Sequence, residues 1–197
     1  MKNKLGLLVV LSGPSGAGKG TICRELLSQL PEIRYSVSVT TRSPRAGEKD
    51  GVDYYFVSRK EFEEMVARGA FLEWAQVYDH FYGTPREKVE EYLASGYDVL
   101  LEIDTQGASQ VKERFPAGVF IFVCPPSLQE LAVRIAGRGT ESPEDMEIRL
   151  RWAENELKDV SSYDYVVVND VVKDAVEKIK SILTAEKCRC ARVMQER

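Results

Sequence analysis

The sequence predicts an α/β fold in which helices cover both faces of a parallel sheet, and three observations predict it. Four short apolar runs, Leu5–Leu11, Val99–Ile103, Val119–Val123 and Tyr165–Val168, are continuous rather than alternating, the pattern of strands buried on both faces. Helical periodicity fills much of the chain between them, and that alternation of strand and helix is the signature of parallel sheets. The first run also ends in a glycine-rich loop, Ser12-Gly13-Pro14-Ser15-Gly16-Ala17-Gly18, that opens straight into a helical pattern. At 197 residues the chain suits one core carrying insertions.

Taken in order, Leu5–Leu11 follows Lys2 and Lys4 and so mimics a signal peptide. Its apolar stretch is short, however, and a loop with a lysine follows it, so it reads as a buried strand. A helix begins near Lys19 and runs through Ile22, Leu26 and Leu27. Residues 34–95 break the rhythm: short strand-like pieces (SVSVTT, DYYFV, FLEWAQVY) surround a helix starting near Ser58, which predicts an insertion with its own small mixed sheet. Residues 96–136 return to the core with strands at 99–103 and 119–123 and helices at about 106–114 and 127–137. The polar stretch GRGTESPED leads into a long helix through Ser161 and reads as a mobile lid over 137–150. Residues 151–197 complete the core, with a strand at Tyr165–Val168, a helix at about 171–185 capped by Asp170, and a frayed end from 186 onward.

Composition narrows the function. Apolar residues make up 44% and charged residues 29%, which excludes wholesale disorder. A net charge of −4 argues against a dedicated nucleic-acid binder. The longest strongly apolar run falls far short of the ~18 residues of a spanning helix, so no membrane partner is expected. Cys23, Cys124, Cys188 and Cys190 form no disulfide framework, which favours a reducing cytoplasm. Positive charge is nonetheless concentrated. Lys2, Lys4, Lys19 and Arg24 stand in residues 1–24 without an acid, and Arg34, Arg42, Arg45 and Lys49 face only Glu48 in residues 34–49.

Gly13 through Lys19 match G-x-x-x-x-G-K between a strand and a helix, the context that makes a phosphate loop credible. Glycines let backbone N–H groups turn inward around phosphate oxygens, the helix N-terminus adds partial positive charge, and Lys19 adds a full one. The next position is Gly20, with the hydroxyl delayed to Thr21. A helix turns about 100° per residue, so Thr21 does not simply replace a metal-binding hydroxyl. Magnesium is therefore expected to be held mainly by phosphates and water, with Thr21 and Asp104 nearby and no direct protein ligand assigned.

Glu102 and Asp104 close the strand at 99–103. Their i, i+2 spacing puts both on one face at the C-terminal edge, where open α/β sheets bind ligands. Asp104-Thr105-Gln106-Gly107 also fits a GTPase D-x-x-G, but no Ser or Thr follows Lys19 and Val168-Asn169-Asp170 lacks the guanine-reading lysine, so that reading is rejected. Arg42 and Arg45 stand three apart in an extended segment, followed by Tyr54; arginine forks suit phosphate oxygens and tyrosine hydroxyls add uncharged donors.

The phosphate loop, SVSVTTRSPRAGE, Phe71-Leu-Glu73-Trp74-Ala, Tyr82-Gly83-Thr84, LEIDTQG and GRGTES together resemble the guanylate kinase family, collinearly over about residues 5–185. The resemblance implies a P-loop kinase with a parallel core sheet flanked by helices, a mixed-sheet insertion binding the nucleoside monophosphate, and a short lid. It implies transfer of the ATP γ-phosphoryl to GMP, and to dGMP, with Mg²⁺. By position, Arg42, Arg45, Tyr54 and Tyr82 match the holders of the GMP phosphate, and Ser38, Glu73, Thr84 and Glu102 the surroundings of guanine. Asp104 matches the acid near Mg²⁺ and the phosphates. Gly13–Thr21 match the ATP phosphate site, Arg134, Arg138 and Arg149 the arginines that meet the ATP phosphates and the transferring group, and Asn169 a residue on the adenine side. Lys19, Arg42, Arg138, Arg149 and Asp104 are the catalytic candidates. A carboxylate such as Glu73 pairs with guanine's N1–H and 2-amino donors but would meet a lone pair on adenine. His80 precedes Phe81 where Asn-Tyr is more typical and is expected on a surface loop, without a catalytic role. Trp74 and Trp152 are candidates to stack on a base, with packing in the core or between helices the favoured expectation.

Two other enzymes and one binding module compete. A kinase acting on a ribose bisphosphate does not account for Glu73 with Ser38 and Thr84, and neither does a plain ATPase switch. A scaffold module of the same fold that binds partner proteins would have an eroded phosphate loop and attached domains, whereas this chain keeps Lys19 and the glycines and reads as free-standing.

Overall fold

Five parallel strands form the core sheet: β1 (Leu8–Ser12), β2 (Arg34–Tyr35), β7 (Val99–Glu102), β8 (Val119–Cys124) and β9 (Tyr165–Val168), ordered β2-β7-β1-β8-β9. The computed structural model describes residues 5–137 and 143–195. β1 is central, and its alternation serves two cores. Leu7, Val9 and Leu11 face α1 (Lys19–Gln29) and α7 (Val172–Lys187), packing against Ile22, Leu26, Val176 and Ile179. Leu8 and Val10 face α3 (Arg86–Ala94) and α4 (Thr105–Arg114), packing with Val89, Leu93 and Val111. This two-sided covering is why β1, β7 and β8 read as unbroken apolar runs.

The outer elements depart from expectation. Leu5 is 73% exposed and the strand begins at Leu8, after the Asp98 carboxylate has taken the Leu7 N–H. β9 is an edge, so only Val167 is buried there while Val166 and Val168 stay half exposed. α7 is preceded by Val171, not capped by Asp170, and no side chain caps it. The helix predicted through Ser161 is an α-helix, α6 (Pro143–Glu156), that tightens into a 3-10 turn over Leu157–Ser162. α6 packs Ala153, Met146 and Leu150 onto Leu131 and Ile135 of α5 (Leu128–Ala136). Of the expected lid, residues 138–142 lie outside the described residues, and Pro143–Leu150 form the first half of α6. A distinct short helix, α8 (Cys190–Gln195), stands where a frayed end was expected.

The insertion carries β3 (Val39–Thr40), β4 (Tyr55–Phe56), α2 (Arg59–Ala67), β5 (Phe71–Val77) and β6 (His80–Pro85). Its sheet runs β4-β3-β6-β5 and is mixed, β3 pairing parallel to β4 and antiparallel to β6. α2 starts at Ser58 because Ser58 and Glu61 form a reciprocal capping box. Val39, Phe62 and Phe71 make a separate apolar cluster. The segment that leaves the core is shorter than 34–95: Arg34 and Tyr35 pair with Val99 and Leu100, and α3 buries Val89 and Leu93 in the main core. The strand β6 was not foreseen, and His80 opens it, paired with Val77, instead of lying in a loop.

Candidate active site

The phosphate loop joins β1 to α1 with Gly13, Gly16 and Gly18 at φ of 132, 91 and 90°. Two of these positions exclude any side chain. A Cβ on Gly13 would lie 2.3 Å from the Val123 carbonyl oxygen, and one on Gly18 would lie 2.4 Å from Asn169 Nδ2. Gly18 offers α1 no side-chain cap, which leaves the helix's first N–H groups for an anion. Lys19 folds back and donates to the carbonyls of Gly13 and Pro14. The amide of Asn169 is buried and donates to the Ala17 carbonyl at 2.8 Å, and Arg134 donates to the Asn169 carbonyl at 2.9 Å. Asn169 and Arg134 thus brace the loop from behind.

A cleft of about 680 Å³ opens beside the loop. Gly13, Ser15, Gly16, Gly18, Lys19, Gly20 and Thr21 line one side; Ser38, Arg42, Arg45, Tyr54, Glu73 and Tyr82 line the insertion side; Glu102, Asp104 and Arg149 are also among the lining residues. Pro14, Ala17, Thr84, Arg134 and Asn169 support this wall from outside the cleft lining, and Arg138 lies outside the described residues.

At the basic end, Arg42 makes a two-pronged ion pair with Glu48, both contacts 2.9 Å. Its guanidinium lies 5.4 Å from the Tyr54 ring, and Tyr54 meets Tyr82 edge-on at 5.9 Å. Burial alone would raise the Glu48 carboxyl, but the Arg42 hydrogen bond outweighs it and holds the group below its usual range. Burial, with the negative charge of Glu102 adding to it, pushes the Tyr54 hydroxyl up to about 12, so it remains a proton donor. Glu48 also accepts the Arg45 backbone N–H at 2.8 Å. It presents to Arg42 the same pair of oxygens that a phosphate presents.

At the other end a β-bulge sets Glu73. Phe71 pairs with Pro85 and Glu73 with Thr84, so two steps on β5 answer one on β6. Three successive buried residues then go three ways: Phe71 into the insertion's cluster, Leu72 into the main core, Glu73 into the cleft. Glu73 is 4% exposed and accepts the Thr84 hydroxyl at 2.6 Å. Burial pushes its carboxyl up to about 7, against the pull of the Thr84 hydrogen bond and helped by the nearby charge of Asp104. β5 is a sheet edge, but Gln110 of α4 bonds both the N–H and C=O of Trp74 and so closes it.

Glu102 ends β7, where Tyr35 donates to it at 3.4 Å. Asp104 is both the N-cap of α4, accepting the Gly107 N–H at 2.7 Å, and a cleft residue. Its second oxygen is buried without a hydrogen-bond partner among the described residues, an arrangement that suits a cation or its water. Arg149 reaches Ser15 Oγ at 3.3 Å from α6.

Tyr35, Glu48, Tyr78 and Glu156 were not singled out by sequence. Glu48 sat inside the quoted motif but registered only as one unit of charge, and Tyr35 directly precedes that motif. Glu156 accepts from Thr105 at 3.4 Å, a contact between residues 51 apart in the chain that leaves no local pattern. Trp152 is 42% exposed and lines the cleft instead of packing in a core, and Trp74, 39% exposed, covers the rim of the insertion's aromatic cluster against Phe62 and Phe81.

The sequence profile described as Guanylate kinase matches residues 6–186. A protein named guanylate kinase from Desulfitobacterium hafniense is 60% identical over 192 residues, 98% of this chain and 96% of its own length. Another of that name, from Caldanaerobacter subterraneus, is 59% identical over 96% of this chain and 92% of its own. The solved guanylate kinase of Anaplasma phagocytophilum superposes with a TM-score of 0.81 at 38% identity, covering 96% of this chain and 90% of that one. A shikimate kinase from Bacteroides thetaiotaomicron, 14% identical with a TM-score of 0.51, shares the fold alone.

Proposed function

We propose, on the premise that the chain belongs to the guanylate kinase family and transfers the γ-phosphoryl of ATP to GMP to give ADP and GDP, that the cleft between phosphate loop and insertion aligns the two nucleotides for direct transfer. The observation that carries the assignment of ends is Glu73, a buried carboxylate held by Thr84 in the same cleft as Lys19. A guanine placed there satisfies it with N1–H and 2-amino donors, with Ser38 and Glu102 alongside. Adenine would leave it unpaired, and a site built on such hydrogen bonds rejects the base that lacks them.

Arg42, Arg45, Tyr54 and Tyr82 hold the GMP phosphate, Arg42 exchanging Glu48 for the incoming oxygens. Gly13–Gly18 and Lys19 hold the ATP phosphates, with Gly20 and Thr21 continuing the wall, while Arg134 and Asn169 keep the loop in shape and stand towards the adenine side. Arg149, with Arg138 in the lid read over 137–150, meets the transferring group. Bound Mg²⁺ would supply charge neutralisation on the ATP phosphates, and Asp104, whose second oxygen has no partner among the described residues, would help orient its water together with Thr21. The attacking phosphate oxygen is already anionic, so alignment and charge neutralisation suffice and no protein base is needed. Residues 36–85 form the GMP-binding insertion on this reading, dGMP serves as a second acceptor, and the reaction belongs with the nucleotide pool of the cytoplasm, with no nucleic-acid partner.

An ADP-release assay offering GMP, dGMP, AMP, CMP and UMP tests the reading. Turnover with GMP and dGMP and little with the rest is expected; equal turnover of AMP and GMP would overturn it. Lys19→Ala should abolish transfer while the circular dichroism spectrum stays that of the parent.

A further inference from the structure

Tyr78 occupies the two-residue turn of the β5–β6 hairpin, between the paired Val77 and His80. Its φ of 54° makes it the only non-glycine residue with positive φ among the described residues. Such turns call for Asn or Gly, because a Cβ crowds the backbone in that conformation. A bulky aromatic ring in this place asks for a reason, and the ring's contacts supply one. It lies 5.5 Å from the ring of Trp152, and the Arg149 guanidinium lies 5.3 Å from its centroid. Arg149 and Trp152 are three apart on α6 and so share one face of the helix. Arg149 reaches on to Ser15 in the phosphate loop at 3.3 Å, and all four residues line the cleft.

We propose that Tyr78 is a positioning residue for phosphoryl transfer, its ring face seating the Arg149 guanidinium beside the phosphate loop and joining the insertion's hairpin to α6. The inference rests on the reading of Arg149 given above. An aromatic face attracts a guanidinium and restricts its position without itself carrying an anion. Trp152 backs the ring from the same helix. The hairpin turn thereby carries a side chain that serves the opposite wall of the cleft.

Steady-state kinetics on Tyr78→Asn, Tyr78→Gly, Tyr78→Phe, Arg149→Ala and the Tyr78→Asn/Arg149→Ala pair test this. Asn and Gly both accept the left-handed turn, so neither should lower the melting temperature. Each should nonetheless reduce kcat by about tenfold, as expected when a reacting group is misplaced. KM for GMP and ATP should stay within about threefold of the parent, as expected when an interaction made only in the transition state is lost. Tyr78→Phe, which keeps the ring face, should retain at least about half of kcat. Adding Tyr78→Asn to Arg149→Ala should cost nothing further. Unchanged kcat in Tyr78→Asn and Tyr78→Gly, with Arg149→Ala impaired, would overturn the proposal alone. So would an equal loss from Tyr78→Asn in both backgrounds, or a Tyr78→Phe enzyme as slow as Tyr78→Asn. An unimpaired Arg149→Ala enzyme would overturn the reading of Arg149 and the proposal with it.

Discussion

On the proposed reading of the site, Glu73 concentrates the chemistry of base choice in one proton. Its carboxyl is raised by burial to about 7 in the free protein, whereas guanine's donors require the ionised form. GMP binding should therefore release a proton below neutrality, and KM for GMP should climb by about tenfold for each pH unit below 7. The nucleotide's own phosphate titrates near 6, so the comparison is with Glu73→Gln, which should bind GMP more weakly at pH 8 and lack the steep Glu73-dependent limb. Parallel curves for the two proteins would exclude the titration of Glu73. The same shift has a sign for stability. The folded state binds the proton more tightly than the unfolded chain does, so this group's contribution is fully present below the ordinary carboxylate range and is lost as pH rises through about 7. Without nucleotide, the thermal midpoint of Glu73→Gln should gain on that of the parent over the same interval.

Among elements, the bulge in β5 and the first turn of α4 act together on that carboxylate. A Cβ on Gly107 would stand 2.5 Å from Glu73 Oε2, which Thr84 prevents from simply swinging away. Gly107→Ala should raise KM for GMP by about tenfold while the melting temperature holds or rises, since Ala is favoured over Gly in a helix by about 1 kcal/mol. An unchanged KM for GMP would show that the carboxylate has room to move. The elements themselves were legible to different depths. β1, β7 and β8 announced themselves because both faces are buried and nothing polar interrupts them. The phosphate loop was legible because glycine is the only residue its close approaches to Val123 and Asn169 admit. The bulge was not, because Phe71-Leu72-Glu73 carries no alternation to violate; its register is set by β6, a strand whose opening residue, His80, read as loop. α3 was missed for a related reason: its buried apolar residues, Val89 and Leu93, are few, and what buries them comes from β1, β7 and α4, distant in the chain.

At the scale of the whole molecule, stability and catalysis are anchored in different places. Glu186 is 2% exposed and accepts from Tyr165 at 2.6 Å, Arg189 at 3.3 Å and Arg192 at 3.2 Å, while Arg192 also reaches the Ala117 carbonyl at 2.7 Å. Burial works against its ionisation, but the hydrogen bonds from Tyr165 and Arg192 prevail and hold the carboxyl below its usual range, so its contribution is present at neutral pH and fades as pH falls through that lowered value. Glu186→Ala should cost roughly 1–3 kcal/mol, lowering the melting temperature by about 2–12 °C at neutral pH, with KM for GMP and ATP unaffected. A loss of GMP affinity in that variant would mean that the two ends communicate. This network was invisible in sequence, where residues 186–197 read as a frayed helix end, because its partners lie on β9 and in the turn before β8. The phosphate loop has an equally scattered pedigree. β1 pairs with β7 and β8, and the Asn169 amide bonds the Ala17 carbonyl from 152 residues downstream. A ribosome therefore releases the nucleotide-gripping sequence first and its supports last. Until residues near 169 emerge, the growing polypeptide carries the glycine motif without the scaffold that shapes it, and ATP finds no finished seat on a half-made chain.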